Sequence, residues 1–225
     1  MVAARASFLG AGHYAPIAEA VVAAALEAAG PDGGRERCVV DLGAGTGYHL
    51  AALLAELPGW SGIALDASRA ALRRAVRAHP RIAAVACDVW QELPLQDATA
   101  DLVLDVFAPR NGREIARVLA PQGALIVATP APEHLHQLVD ELGLLAVEPD
   151  KQARLRARLS PHLMAVSRRE VGFDITLGPE GVEALVAMGP SAHHRSADDI
   201  RRGLARRGED LRVSASVIVE TFRRP

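Results

Sequence analysis

Short apolar runs of strand length alternate along the chain with longer runs whose apolar positions recur at helical spacing, and glycine or proline pairs separate them. An alanine-rich helix is read over 15–29, with Pro16 in its first turn, and is expected to lie at the edge of a sheet. A loop over 30–35 leads to a buried strand at 38–41, a glycine-rich turn, and a helix reaching about residue 57. The second strand ends at Asp66, Ser68 is placed to cap a helix to residue 78, and His79-Pro80 breaks it. A third strand is expected to end at Asp88 and a fourth to run over 101–107. Then come a helix at 111–119, a turn at 121–123, a strand at 124–129 and a helix with Pro132 near its start. The remainder reads as a charged helix over 147–159, an alternating strand over 163–177 with a break at Gly172, and a helix over 179–188. A loop to Arg195, a helix over 198–207 and a last strand over 211–222 complete it.

Strands alternating with helices imply an α/β fold, a doubly wound and mostly parallel Rossmann-like sheet covered on both faces. At 225 residues, half of them apolar, the chain fits one domain with a sizeable core. The formal charge of −2 argues against binding nucleic acid by bulk charge alone. Arginines do cluster over 69–81, 151–158 and 195–207, where solvated helix faces explain them at least as well as RNA contacts. Cys38 and Cys87, both placed in buried strands, read as reduced thiols and not as a metal site. No apolar run reaches the roughly 18 residues of a membrane helix, and no export signal opens the chain, so a cytoplasmic protein without a membrane partner is expected.

The chemistry gathers at strand ends. Gly43, Gly45 and Gly47, with Thr46 between them, form a turn between strand and helix where a ligand can approach the main chain. Asp41 precedes that turn, where a carboxylate would repel a pyrophosphate and hold an ammonium group. Asp66 is placed for both hydroxyls of a ribose. Asp88 is placed for an adenine amine, with Val89 offering an apolar face and a main-chain N–H beside the ring. Trp90 reads either as part of that face or as a core anchor. S-adenosylmethionine carries an ammonium, a ribose and an adenine amine, whereas NAD would use the middle acid alone. Ligands of doubly wound sheets sit beyond the carboxyl ends of the strands, so the exit Phe107-Ala-Pro-Arg110 faces the reacting group. Asp105 is the acid at that exit, a candidate general base unless it pairs with Arg110 or Arg113; Asp88 and the His193/His194 loop are further candidates.

Asp41-x-Gly-x-Gly-x-Gly47 with Asp66 and Asp88 resembles the cofactor motifs of class I S-adenosylmethionine-dependent methyltransferases. More narrowly, the segments 5–16, Asp105-Val-Phe-Ala-Pro-Arg110 and Ala128-Thr-Pro-Ala-Pro-Glu-His-Leu135 are similar to those of 23S rRNA (guanine-N1)-methyltransferases, in the branch that protects macrolide producers. The resemblance implies seven strands with the last antiparallel to the rest. It also implies N1 methylation of a guanine in a 23S rRNA hairpin loop, macrolide resistance, and Tyr14 and His134 as cofactor contacts. Without it, Tyr14 reads as capping and packing and His134 as a surface residue. The domain then divides into an N-terminal helical segment (1–36), a cofactor-binding core (37–130) and substrate-side helices and last strands (131–225). Relatives with known RNA targets carry an N-terminal zinc module with four Cys/His ligands, which would end before Met1. Two alternatives stand beside the rRNA enzyme: a small-molecule methyltransferase acting on an antibiotic or metabolite, favoured by the acidic net charge and the missing module, and a non-catalytic S-adenosylmethionine-binding protein, disfavoured by the presence of all three cofactor acids. The oligomeric state, homodimer included, is open.

Overall fold

A computed structural model describes residues 1–30, 36–142, 151–189 and 210–225. Its elements in chain order are α1 (Val2–Gly10), α2 (Ala15–Ala29), β1 (Arg37–Leu42), α3 (Tyr48–Glu56), β2 (Trp60–Asp66), α4 (Arg69–Ala78), β3 (Ile82–Ala86) and β4 (Ala100–Val106). There follow α5 (Gly112–Val118), β5 (Leu119–Pro130), α6 (His136–Leu142), α7 (Lys151–Leu159), β6 (Met164–Leu177), α8 (Pro179–Met188) and β7 (Leu211–Arg223). Among the described residues these strands make one seven-stranded sheet in the order β3-β2-β1-β4-β5-β7-β6. Strands β1 to β5 are parallel, and β7 runs antiparallel to both β5 and β6, as expected for the last strand. Because the order reverses where β1 meets β4, a crevice opens beyond the carboxyl ends of those two strands.

Side chains alternate across the sheet, and each face has its own core. Val39, Leu102 and Leu104 pack under Ile17, Val21 and Ala25 of α2 and Leu50, Leu53 and Leu54 of α3. Val40, Leu42 and Val103 face Ile115, Leu159 and Phe222 on the opposite side. Each such side chain contributes about 1.5–3 kcal/mol by leaving water. The same alternation sends Asp41 toward the α2/α3 face and Asp105 toward the α5/α7 face. On α4, Ala71, Leu72 and Ala75 are buried while Arg73, Arg74 and Arg77 are exposed, so this arginine cluster is a solvated helix face.

Several local expectations are corrected. Helix α2 crosses the sheet against β4, β5 and β7 instead of sitting at its edge, because its stripe of Ile17, Val21 and Ala25 is fully buried. Strand β3 stops at Ala86: the Asp88 carboxylate accepts the Trp90 N–H at 3.0 Å, and that local turn ends the ladder. Cys87 therefore lies outside the strand, and both cysteines are half-buried free thiols. Strand β5 starts at Leu119, five residues early, and absorbs the expected turn as a register shift opposite Ala100 and Leu102. A Cβ on Gly123 would stand 2.9 Å from the Ala100 carbonyl, so the chains approach closely there. Strand β6 passes through Gly172 unbroken, and its irregularity falls between Ala165 and Ser167. Helix α6 begins at His136 after a turn, later than Pro132 suggested. The expected helix at 198–207 and the His193/His194 loop lie outside the described residues. No single helix among the described residues is long and apolar enough to cross a membrane.

Candidate active site

The crevice is built on the turn after β1. Gly43, Gly45 and Gly47 all have positive φ (63°, 55° and 76°), which L side chains rarely adopt. Two of them serve packing: a Cβ on Gly43 would meet the Ala108 Cβ at 2.8 Å, and one on Gly47 the Ala75 Cα at 2.9 Å. At Gly45 the main chain faces the Arg5 side chain, whose Nη1 lies 3.1 Å and Cδ 3.5 Å from where a Cβ would stand. Thr46 is buried beside it, and α3 starts at Tyr48 without a side-chain cap, so its first N–H groups are left for a ligand.

Asp66, at the end of β2, is fixed by two main-chain donors. Gly45 N–H reaches one carboxylate oxygen at 2.9 Å and Ser68 N–H the other at 2.7 Å. An ionised carboxylate has about four acceptor sites, so each oxygen keeps one, a match for the two hydroxyls of a ribose. Asp41 is 3% exposed, and no side chain among the described residues donates to it. Burial pushes its carboxyl well above the usual range, and the charges of Asp105 and Asp66 push it further. A buried acid with acidic neighbours and no paired cation among the described residues suits a ligand that brings positive charge, as a sulfonium amino acid does. Asp88 is exposed at the end of the row, while Val89 is buried in the second core. Trp90 is no core anchor. It is 49% exposed, with the Arg158 guanidinium 5.6 Å above its ring.

Two residues 120 positions apart meet across the crevice: the Tyr14 hydroxyl lies 3.3 Å from His134 Nε2. The other ring nitrogen of His134 lies 2.9 Å from the Ser216 carbonyl and 3.1 Å from its N–H, so in either tautomer the ring links β7 to the phenol. Tyr14 is buried, which raises its phenol above the ordinary value and keeps it protonated. Phe107 stands 6.2 Å from Tyr14 and 6.1 Å from His134, ring centre to ring centre, and remains 40% exposed. Its φ of 55° is unusual for an aromatic residue and costs about 1–3 kcal/mol, held by the Phe107 N–H to Ala128 carbonyl bond at 3.0 Å. Nothing in the sequence marks that conformation, because a left-handed turn is ordinarily signalled by glycine or asparagine.

Asp105 is fully buried. Arg110 grips it with two bonds of 2.9 Å and donates a third, of 2.8 Å, to the Ala108 carbonyl. Burial raises the Asp105 carboxyl to about 6 against the opposing pull of Arg110. Its partner is thus Arg110 and not Arg113. The sequence reading also passed over His49, on the first turn of α3. Burial holds this imidazole neutral to about pH 4, with a smaller contribution from Arg5, and its Nδ1 has no hydrogen-bond partner among the described residues.

Comparison with known proteins gives this geometry a family. The methyltransferase domain family matches residues 39–123, the stretch from β1 to the start of β5. The chain is 48% identical over 205 residues to the 23S rRNA (guanine(748)-N(1))-methyltransferase of Streptomyces fradiae, covering 91% of this chain and 72% of that protein. A Micromonospora griseorubida protein assigned the 23S rRNA guanine-N(1) activity is 46% identical, over 99% of this chain and 79% of its own length. A chain from the complex of the Haloferax volcanii Trm112 methyltransferase activator with a methyltransferase superposes with a TM-score of 0.61 at 20% identity, covering 98% of this chain and 94% of that one, which supports the fold. The domain match and two relatives at 46–48% identity, aligned over 91–99% of this chain, lead to one conclusion: this chain is an S-adenosylmethionine-dependent methyltransferase and belongs to the 23S rRNA (guanine-N1)-methyltransferase family.

Proposed function

We propose that this protein acts in the cytoplasm, methylates N1 of a guanine in a hairpin loop of 23S rRNA, and so contributes to macrolide resistance. The observation that carries this reading is the 48% identity, over nearly the whole chain, to an enzyme named for that reaction. Phe107 supports it as an exposed aromatic face beside the crevice, on which an unstacked base can lie. When bound, the cofactor supplies a methyl group already activated on sulfur. The protein's task is then alignment, with the nucleophile in line at about 3–3.5 Å.

In this reading Asp66 takes the ribose hydroxyls, Asp41 the ammonium group, and Asp88 with Val89 the adenine edge. Gly43, Gly45, Thr46 and Gly47 supply the turn, and Tyr14 and His134 close the methyl-bearing side. Asp105 is given a positioning role, because both its oxygens are engaged by Arg110. Asp66→Ala is expected to weaken S-adenosylhomocysteine binding by roughly 1–3 kcal/mol, since the ribose acceptors and the anchor of Gly45 go together. Unchanged affinity in calorimetry would remove Asp66 from the ribose.

The function itself is tested by incubating the protein with methyl-tritiated cofactor and total rRNA from an unmethylated strain. Label at one guanine of 23S rRNA, visible as a stop in primer extension, is the expected result. RNA affinity should also fall as salt rises, because cations on the protein displace counterions from phosphates. Methyl transfer to a small molecule with no labelled RNA would overturn the proposal.

A further inference from the structure

The strand-end acids offer counter-charge to the positive and neutral groups of the cofactor, but none suits the carboxylate of its methionine moiety. That group is an anion entering a crevice where Asp41 and Asp66 already repel one another. A cation is needed, and it has to stand where the amino-acid end meets the main chain.

Arg5 meets this requirement. It lies on α1, a helix that the glycine pattern gives no reason to connect with the cofactor turn. Its guanidinium Nη1 stands 3.1 Å from the position a Cβ on Gly45 would take, and its Cδ 3.5 Å from the same point. Nη2 donates to the main-chain carbonyl of Met188, at the end of α8, at 3.2 Å. Among the described residues that neutral carbonyl is its one acceptor, and no carboxylate pairs with it. A guanidinium has five donors, so most of its fork remains for an anion. The anchor at Met188 fixes the side chain over the turn, which lowers the entropic cost of using it. His49 lies close enough on α3 to feel the Arg5 charge, and because it stays neutral to about pH 4 it neither competes for the anion nor expels the arginine.

We propose that Arg5, held by the Met188 carbonyl above Gly45, is the carboxylate receptor for the amino-acid end of S-adenosylmethionine. The proposal rests on the cofactor site described above and is independent of which base receives the methyl group. It gives the segment around Arg5 a function that capping and packing do not supply. It also gives a use to the packing of α1 on α8, which brings Arg5 over the glycine turn.

Calorimetry with two ligands tests it: S-adenosylmethionine, and its decarboxylated form, which keeps the sulfonium and the amine but lacks the carboxylate. The full-length protein is expected to bind the complete cofactor about 10- to 100-fold more tightly than the decarboxylated one, as a charge-assisted hydrogen bond allows. Arg5→Gln should remove most of that preference by weakening the complete cofactor alone, and Arg5→Lys should restore part of it. Equal affinities for the two ligands in the unmodified protein would overturn the role of Arg5, and this arm needs no variant to fold. An Arg5→Gln protein that lost both ligands in proportion would also overturn it, because Arg5 would then be holding α1 and not the carboxylate. Failure of the unmodified protein to bind either ligand would overturn the whole cofactor site, a separable outcome.

Discussion

Asp41→Asn is expected to raise the melting temperature of the cofactor-free protein at pH 7–8 and, in the same variant, to weaken cofactor binding strongly. Asp41 is buried, has no donor among the described side chains, and is pushed up by burial first and by Asp105 and Asp66 next. An acid whose folded pKa lies above its unfolded value binds more protons folded than unfolded between the two, so stability falls as pH rises through that window. Above the window the native state carries the full cost of the charge, and asparagine removes it. A gain of about 1 kcal/mol, roughly 2–4 °C for a chain of this size, is the scale usual for relieving one destabilised functional residue. As the pH falls below the raised pKa, the wild-type carboxyl becomes neutral and the advantage should shrink toward zero. Melting curves from pH 8 to pH 4 check this, because other titrating groups such as His49 cancel in the difference between the two proteins. An advantage constant at every pH would show that the charge of Asp41 is not its source.

The largest loss of stability is expected from Asp105→Ala. It would strand the nearly buried Arg110, whose side chain is 10% exposed, and breaking a buried pair from one side costs about 3–5 kcal/mol. The melting temperature should drop by roughly 10 °C, and the double replacement Asp105→Leu with Arg110→Met should recover much of it, since no charge is then left unpaired. Asp105→Asn separates positioning from base catalysis. A positioning residue predicts lower stability with an unaltered pH profile of methyl transfer in the folded fraction. Loss of activity by about 100-fold or more at unchanged stability would make Asp105 the base. The pH dependence of the pair has a definite sign: burial raises this carboxyl from 3.8 to about 6, so its ionisation costs stability between those values and no further above them.

Much of the architecture was legible because it is written locally. Ser68 caps α4 through its side chain as its position implied, accepting from the Ala71 N–H at 3.3 Å. Helix α8 covers the 179–188 read from its apolar spacing, and the acids Asp41 and Asp66 stand at the ends of neighbouring strands. Where the reading went astray, a contact from elsewhere decided the outcome. The 121–123 segment looks like a turn on its own residues, yet the close approach of Gly123 to Ala100 draws it into β5. Trp90 looks like an anchor by residue type, but the turn at Asp88 lifts it out of the core.

The sequence by itself determined the alternation of strands and helices, the glycine turn after β1 and the order of acids along the sheet edge, because hydrophobic period and turn chemistry act within a few residues. Only the tertiary structure decided which of those groups face the crevice. Sheet parity and burial tie Asp105 to Arg110, and the packing of Ala108 and Ala75 takes up Gly43 and Gly47. The return of α1 places Arg5 over Gly45, and the convergence of α2 with β5 and β7 brings Tyr14 to His134. The physical reason is that electrostatic and aromatic contacts depend on distance in space, and residues 120 positions apart carry no local signal of one another until the sheet has formed.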